Sequence, residues 1–163
     1  MIVFLDYDGV VNTVIWEYIS DENKYRCNYA DPHDNKVNNY QAVQWLSELC
    51  QRFKADIVVT STWRKWDNYA QCLRNGGLRE DIHIIDRTVD NREDRASQIN
   101  SWLIEHPEVG EKFIILDDEI VDMSPFGYNA DTHYVQCKTN GGFQMEEYEE
   151  AISKIKRILH IEE

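Results

Sequence analysis

Short apolar runs recur along this chain, and they limit what it can fold into. They are Ile2-Val3-Phe4-Leu5, Ile57-Val58-Val59, Ile82-His83-Ile84-Ile85 and Phe113-Ile114-Ile115-Leu116. Apolar runs this short, without polar alternation, suit strands that are covered on both faces. Between them the apolar residues return at helical spacing. Val43, Leu46, Leu49 and Phe53 mark a helix over Val37–Phe53; Trp66, Tyr69 and Leu73 mark one that stops at Gly76-Gly77. Ala96, Ile99, Trp102 and Leu103 mark a third ahead of Pro107, and Tyr148, Ile152, Ile155 and Leu159 mark the last. Thr132–Val135 is a fifth strand candidate, and residues 13–36, polar and aromatic without a period, read as a loop or small flap. Strand–helix alternation of this kind predicts an α/β fold, a three-layer open sheet of mostly parallel strands.

Composition narrows the reading. With 163 residues, 3 Pro and 7 Gly, and no linker-like stretch, residues 1–163 read as one domain. The net charge of −13 argues against generic binding to nucleic acid or anionic membrane, where basic charge supplies the affinity. No segment has the roughly 20 apolar residues of a membrane span. The start, MIVFLDYDGV, lacks the basic region of a signal peptide. Four scattered cysteines without a CxxC pair read as reduced thiols, so the expected location is cytoplasmic.

In open parallel sheets, ligands bind at the carboxyl ends of the strands. Three predicted strands end in polar clusters: Asp6-x-Asp8, Thr60-Ser61 and Asp117-Asp118. Taken alone, a DxD is an ordinary turn and a Thr-Ser pair an ordinary helix cap. Together they converge on one sheet edge. Four carboxylates there repel one another unless a proton or a cation intervenes. Oxygen-only donors favour Mg²⁺ over zinc. Gly9 permits the sharp turn after Asp8. A metal held by carboxylates is usually completed by phosphate oxygens, and Thr60 or Ser61 could donate to such a phosphate. Arg95, at the start of the helix before the Asp117 strand, is the favoured basic partner; Arg92, Arg64 and Lys65 are rivals.

This ordered set resembles the haloacid dehalogenase (HAD) superfamily of aspartate-based phosphohydrolases. The matching motifs are Phe4-Leu5-Asp6-Tyr7-Asp8-Gly9-Val10-Val11-Asn12, Val58-Val59-Thr60-Ser61-Thr62-Trp63-Arg64, Arg95, and Leu116-Asp117-Asp118-Glu119-Ile120-Val121-Asp122. The resemblance implies a Rossmann-like core and a Mg²⁺-dependent phosphatase. Asp6 would be the nucleophile that forms an aspartyl phosphate. Asp8 would be the general acid and base, touching the metal only through its backbone carbonyl. Asp118 would be the main metal ligand of the fourth motif, Asp117 an indirect one, and Asp122 a support. Arg95, Thr60 or Ser61, and the Gly9 turn would hold the phosphate. Asp8 argues for phosphate chemistry, since dehalogenase members lack the second Asp; hydrolysis is favoured over phosphoryl transfer.

Superfamily members take specificity from cap insertions, and neither inter-motif stretch here has room for a large cap. An open site suits a nucleotide, a nucleic-acid end or another bulky phosphate. Trp16, Tyr18, Tyr25, Tyr29 and Tyr40 in or near the flap either stack on a base or pack the flap down. Residues 64–95 carry seven bases and seven acids, a neutral stretch in an acidic chain. The rival from another class is a receiver-like module that accepts one phosphoryl group and holds it, although its acidic motifs run in the opposite order. A catalytically idle binding protein is a further rival, set against the intact motif set.

Overall fold

The computed structural model describes residues 1–13, 15–19, 24–28, 31–91, 93–138 and 140–161, with 15–19 and 24–28 taken at backbone level. In chain order the elements are β1 (Ile2–Leu5), β2 (Ile15–Ile19), β3 (Lys24–Asn28), α1 (Tyr40–Phe53), β4 (Asp56–Val59), α2 (Tyr69–Asn75), β5 (Ile84–Arg87), α3 (Arg95–Glu105), β6 (Phe113–Asp117), α4 (Ala130–His133), β7 (Tyr134–Gln136) and α5 (Met145–Ile158). The main sheet is ordered β5-β4-β1-β6-β7, and every pairing in it is parallel.

β1 sits at the centre, and its side chains show why both faces must be covered. Val3 and Leu5 join a core with α1, α2 and α5 through Leu46, Leu73 and Ile155. Ile2 and Phe4 join a second core with α3 through Ile99 and Trp102. This is the period of two on a strand buried on both sides. Phe4 is fully buried and meets Trp102 and Phe113 edge-on, with centroids 5.4 Å and 5.6 Å away. Truncating such a ring to alanine costs about 3–5 kcal/mol. α1 is capped at its start by Asn39, whose side chain accepts the Ala42 N–H.

Several boundaries differ from the sequence expectation, each for a local reason. The third strand runs over Ile84–Arg87 rather than Ile82–Ile85. Ile82 is buried in the core below it, while the strand itself, at the sheet edge, alternates half-buried and exposed residues. The fifth strand begins at Tyr134, because Asn129 caps a helical turn that uses Thr132 and His133. Residues 13–36 are not irregular throughout: β2 and β3 form an antiparallel hairpin, and Asp31 caps a 3-10 turn over Pro32–Asp34. No large cap is present among the described residues. Of the flap aromatics, Tyr29 lies outside the described residues, Tyr18 and Tyr25 are opposite one another in the backbone register of the hairpin, and Tyr40 opens α1 with its ring exposed. Cys50, Cys72 and Cys137 are free and buried. Among the described residues, no helix is long and apolar enough to cross a membrane.

Candidate active site

The strand register creates the site. Leu5 lies level with Val59 on one side and Leu116 on the other. The next residue of each strand or strand end is therefore Asp6, Thr60 and Asp117, side by side. Backbone bonds from Asp6 N–H to the Leu116 carbonyl and from Thr60 N–H to the Leu5 carbonyl hold this alignment one step beyond the strand pairing.

Carboxylate oxygens of Asp6, Asp117 and Asp118 lie within 4.8 Å of one another. Arg95 reaches into the same cluster from the first residue of α3. Its Nη1 is 2.7 Å from Asp117 Oδ2, 3.3 Å from Asp6 Oδ1 and 3.2 Å from Thr60 Oγ1. Burial works against the Arg95 charge, but the carboxylates of Asp6 and Asp117 outweigh it and hold the guanidinium protonated. Burial, then the charge of Asp6, pushes the Asp117 carboxyl up to about 7, against the lowering pull of Arg95. Burial and Asp6 raise Asp118 as well. One guanidinium does not neutralise three clustered carboxylates. The remaining negative charge and the oxygen-only donors fit a hard divalent cation.

Gly9 makes the cluster possible. Its φ is +78°, and a Cβ there would lie 2.2 Å from Asp118 Oδ2. Its own N–H donates to the Asn12 carbonyl. Gly9 thus admits Asp118, and its own N–H is taken up within the turn.

Asp8 stands apart from the three-carboxylate cluster. Asn12 Nδ2 donates to its Oδ1 at 2.6 Å, and the Trp63 indole N–H reaches both oxygens at 3.0 Å and 3.2 Å. Burial raises the Asp8 carboxyl, the charge of Asp6 adds to this, and the two hydrogen bonds oppose it. A carboxyl fixed in place, with its proton affinity raised, suits a general acid.

The other expected residues divide. Thr60 shares Arg95 with the acidic cluster, whereas the Ser61 side chain accepts the Trp63 N–H and caps the 3-10 turn over Thr62–Lys65. The geometry thus separates two hydroxyls that the sequence leaves equivalent. Arg64 is buried and braces this turn: it donates to the Thr60 and Ser61 carbonyls and to Gln98 Oε1. Lys65 pairs with Asp90. Arg92 lies outside the described residues. Asp122 does not support the cluster; it is exposed and accepts the Ser124 N–H in a turn of its own. The Asp117 side chain lies in the cluster and pairs with Arg95. Trp63 and Asn12 were not expected in the site. A tryptophan four residues beyond a strand reads as core, and its ring does pack on Tyr7 at 5.6 Å; only its N–H betrays the second role.

The family model describing the HAD domain in Swiss Army Knife RNA repair proteins matches residues 2–148. The chain belongs to that family. No curated protein and no solved structure matches it. Membership replaces the receiver-like reading, and it agrees with the motif order along the chain. The general chemistry of HAD domains is phosphoester hydrolysis, and this HAD domain carries a buried aspartate cluster suited to it.

Proposed function

We propose that this HAD domain is a Mg²⁺-dependent phosphomonoester hydrolase that works through an aspartyl phosphate on Asp6. The observation that carries the reading is Arg95, which joins Asp6, Asp117 and Thr60 through one nitrogen at the sheet edge. Asp6, Asp118 and the Asp8 carbonyl would hold the cation, with Asp117 supporting them. When bound, the cation offsets the repulsion between the Asp6 carboxylate and the substrate phosphate.

The residues then divide the work. An Asp6 oxygen attacks phosphorus as the bond to the leaving oxygen breaks. Asp8 gives that oxygen its proton. In the second half Asp8 takes a proton from water, the water oxygen attacks phosphorus, and the bond to Asp6 breaks. Inorganic phosphate leaves, and both aspartates return to their starting states. Arg95 and Thr60 orient the phosphate oxygens throughout.

For the substrate we favour a phosphate at the end of an RNA strand. The matched family occurs in RNA repair proteins, and a cluster without a large cap can be reached by a polymer end. The partner is therefore a phosphorylated substrate, and the free, buried thiols suit a reducing, cytoplasmic setting.

Phosphate release with Mg²⁺ should be measured on RNA oligonucleotides phosphorylated at either end, on mononucleotides and on p-nitrophenyl phosphate. Turnover should vanish with EDTA and fall by at least about 10³-fold in Asp6→Asn. Turnover retained by Asp6→Asn would overturn the nucleophile assignment.

A further inference from the structure

Beside the aspartate cluster lies a second cleft, of about 470 Å³, at the carboxyl ends of β4 and β5. Its walls are the 3-10 turn with Arg64 and Lys65 and the end of β5 with Arg87, Thr88 and Asp90. Building on the hydrolase reading, we propose that this cleft is a subsite for the internucleotide phosphodiester next to the terminal phosphate. The enzyme would then act on polynucleotide ends in preference to small phosphomonoesters.

Three observations carry this. First, the cleft holds polar groups whose bonding is incomplete. Arg64 Nε and Thr88 Oγ1 are buried without a hydrogen-bond partner, and their residues are only 4% and 2% exposed. A buried donor left unpaired costs about 1–3 kcal/mol, so a site that keeps two calls for an acceptor. Both atoms are closed to solvent as the cleft stands, so they would meet the anionic oxygens of a phosphodiester only once the cleft wall shifts around it. Second, the local charge runs against the molecule's. Arg64, Lys65 and Arg87 line the cleft against two acids, Asp86 and Asp90, in a chain of net charge −13. The acids there are already committed. Asp86 accepts from the Trp102 indole N–H at 2.7 Å. Asp90 pairs with Arg64 at 3.5 Å and with Lys65 at 3.1 Å, but the Lys65 pair is half exposed. Such pairs are worth about 0–1 kcal/mol, so Lys65 can be redirected to a phosphate at little cost.

Third, the cleft is wired to the catalytic cluster. Arg64 donates to the Thr60 carbonyl, and Arg95 donates to the Thr60 hydroxyl. Thr60 thus touches both arginines. Arg87 is held against the same turn, donating to the Arg64 carbonyl at 2.6 Å with its guanidinium 5.1 Å from the centre of the Tyr69 ring. This assigns a role to the mixed-charge stretch 64–95. Arg64, Lys65 and Arg87 from this stretch line the cleft together with Asp86 and Asp90, and Asp94 caps α3.

The test compares Lys65→Ala and Arg87→Ala with the unaltered protein. Substrates are a phosphorylated RNA tetramer and p-nitrophenyl phosphate, both with Mg²⁺. The ratio of kcat/KM for RNA over the small ester should fall about tenfold in each variant. Most of the change should be in KM, and the dependence of RNA KM on salt should become shallower by roughly one phosphate contact. Thr88→Val, which removes only the unpaired hydroxyl, should lower the same ratio. A parallel readout is fluorescence anisotropy of labelled RNA with Asp6→Asn as the background. Lys65→Ala should weaken that binding about tenfold. Equal losses on both substrates, or an unchanged ratio with unchanged RNA binding, overturns the subsite. Absence of turnover on every substrate with RNA binding intact and sensitive to Lys65 would instead overturn the hydrolase reading and leave the subsite standing.

Discussion

Asp8 is held by two donors that come from different parts of the chain. Asn12 lies in its own turn, and Trp63 lies beyond β4, 55 positions away. Both donate to the carboxylate, so they fix the direction in which it can deliver a proton. Trp63→Phe keeps an aromatic ring against Tyr7 and removes only the N–H. We expect kcat to fall about tenfold to a hundredfold with KM nearly unchanged. The melting temperature should stay within a few degrees of the unaltered protein. A large loss of stability without the kcat effect would make Trp63 a packing residue alone. The sequence made Asp6, Asp8 and Asp118 legible because two acidic pairs each follow an apolar strand and so converge on one sheet edge. Trp63 was illegible because its ring satisfies the core reading completely, and the N–H shows only in three dimensions.

α3 begins with an apparent local conflict. A cation at a helix N-terminus opposes the helix dipole, yet Arg95 occupies the first helical position. The conflict is resolved outside the helix, by Asp6 and Asp117. It is the kind of local mismatch expected at a functional site. Asp94 supports it by capping the helix, accepting from the Ser97 N–H at 3.0 Å and the Ser97 hydroxyl at 2.7 Å. The Ser97 hydroxyl, then its N–H, holds the Asp94 carboxyl below the usual carboxylate range. Because folding favours the ionised form, its contribution is full above that range and is lost as pH falls through the lowered value. Asp94→Ala should cost about 1 kcal/mol at pH 7, and the difference should shrink towards pH 3. Urea unfolding at both pH values measures it. A difference that stays constant with pH would mean that the cap is not acting through its charge. The helix itself was legible from Ala96, Ile99, Trp102 and Leu103. β5 was misplaced by two residues because an edge strand needs no continuous apolar run, and Ile82, buried outside the strand, supplied a false start.

Across the whole molecule, the parallel sheet does what no local segment can. It sets residues 6, 60 and 117 side by side on neighbouring strands, and α3 then delivers Arg95 onto them. The central short strands were readable because both faces are buried and the runs are nearly pure. The β2–β3 hairpin was not, since its residues mix charged and aromatic side chains without a clear apolar run. The cost of the arrangement is concentrated repulsion at the sheet edge, where burial and mutual charge raise Asp117 and Asp118. A cation that binds only the folded chain should therefore stabilise the whole molecule. At a Mg²⁺ concentration about 100 times its dissociation constant, linkage gives about 2.7 kcal/mol. For a domain of this size that is roughly 5–10 °C in Tm. The shift should be reversed by EDTA and mostly lost in Asp118→Asn. It should persist in Lys65→Ala, which lies outside the cluster. A Tm indifferent to Mg²⁺, or a shift that survives Asp118→Asn intact, would show that the acidic cluster is not where the cation binds.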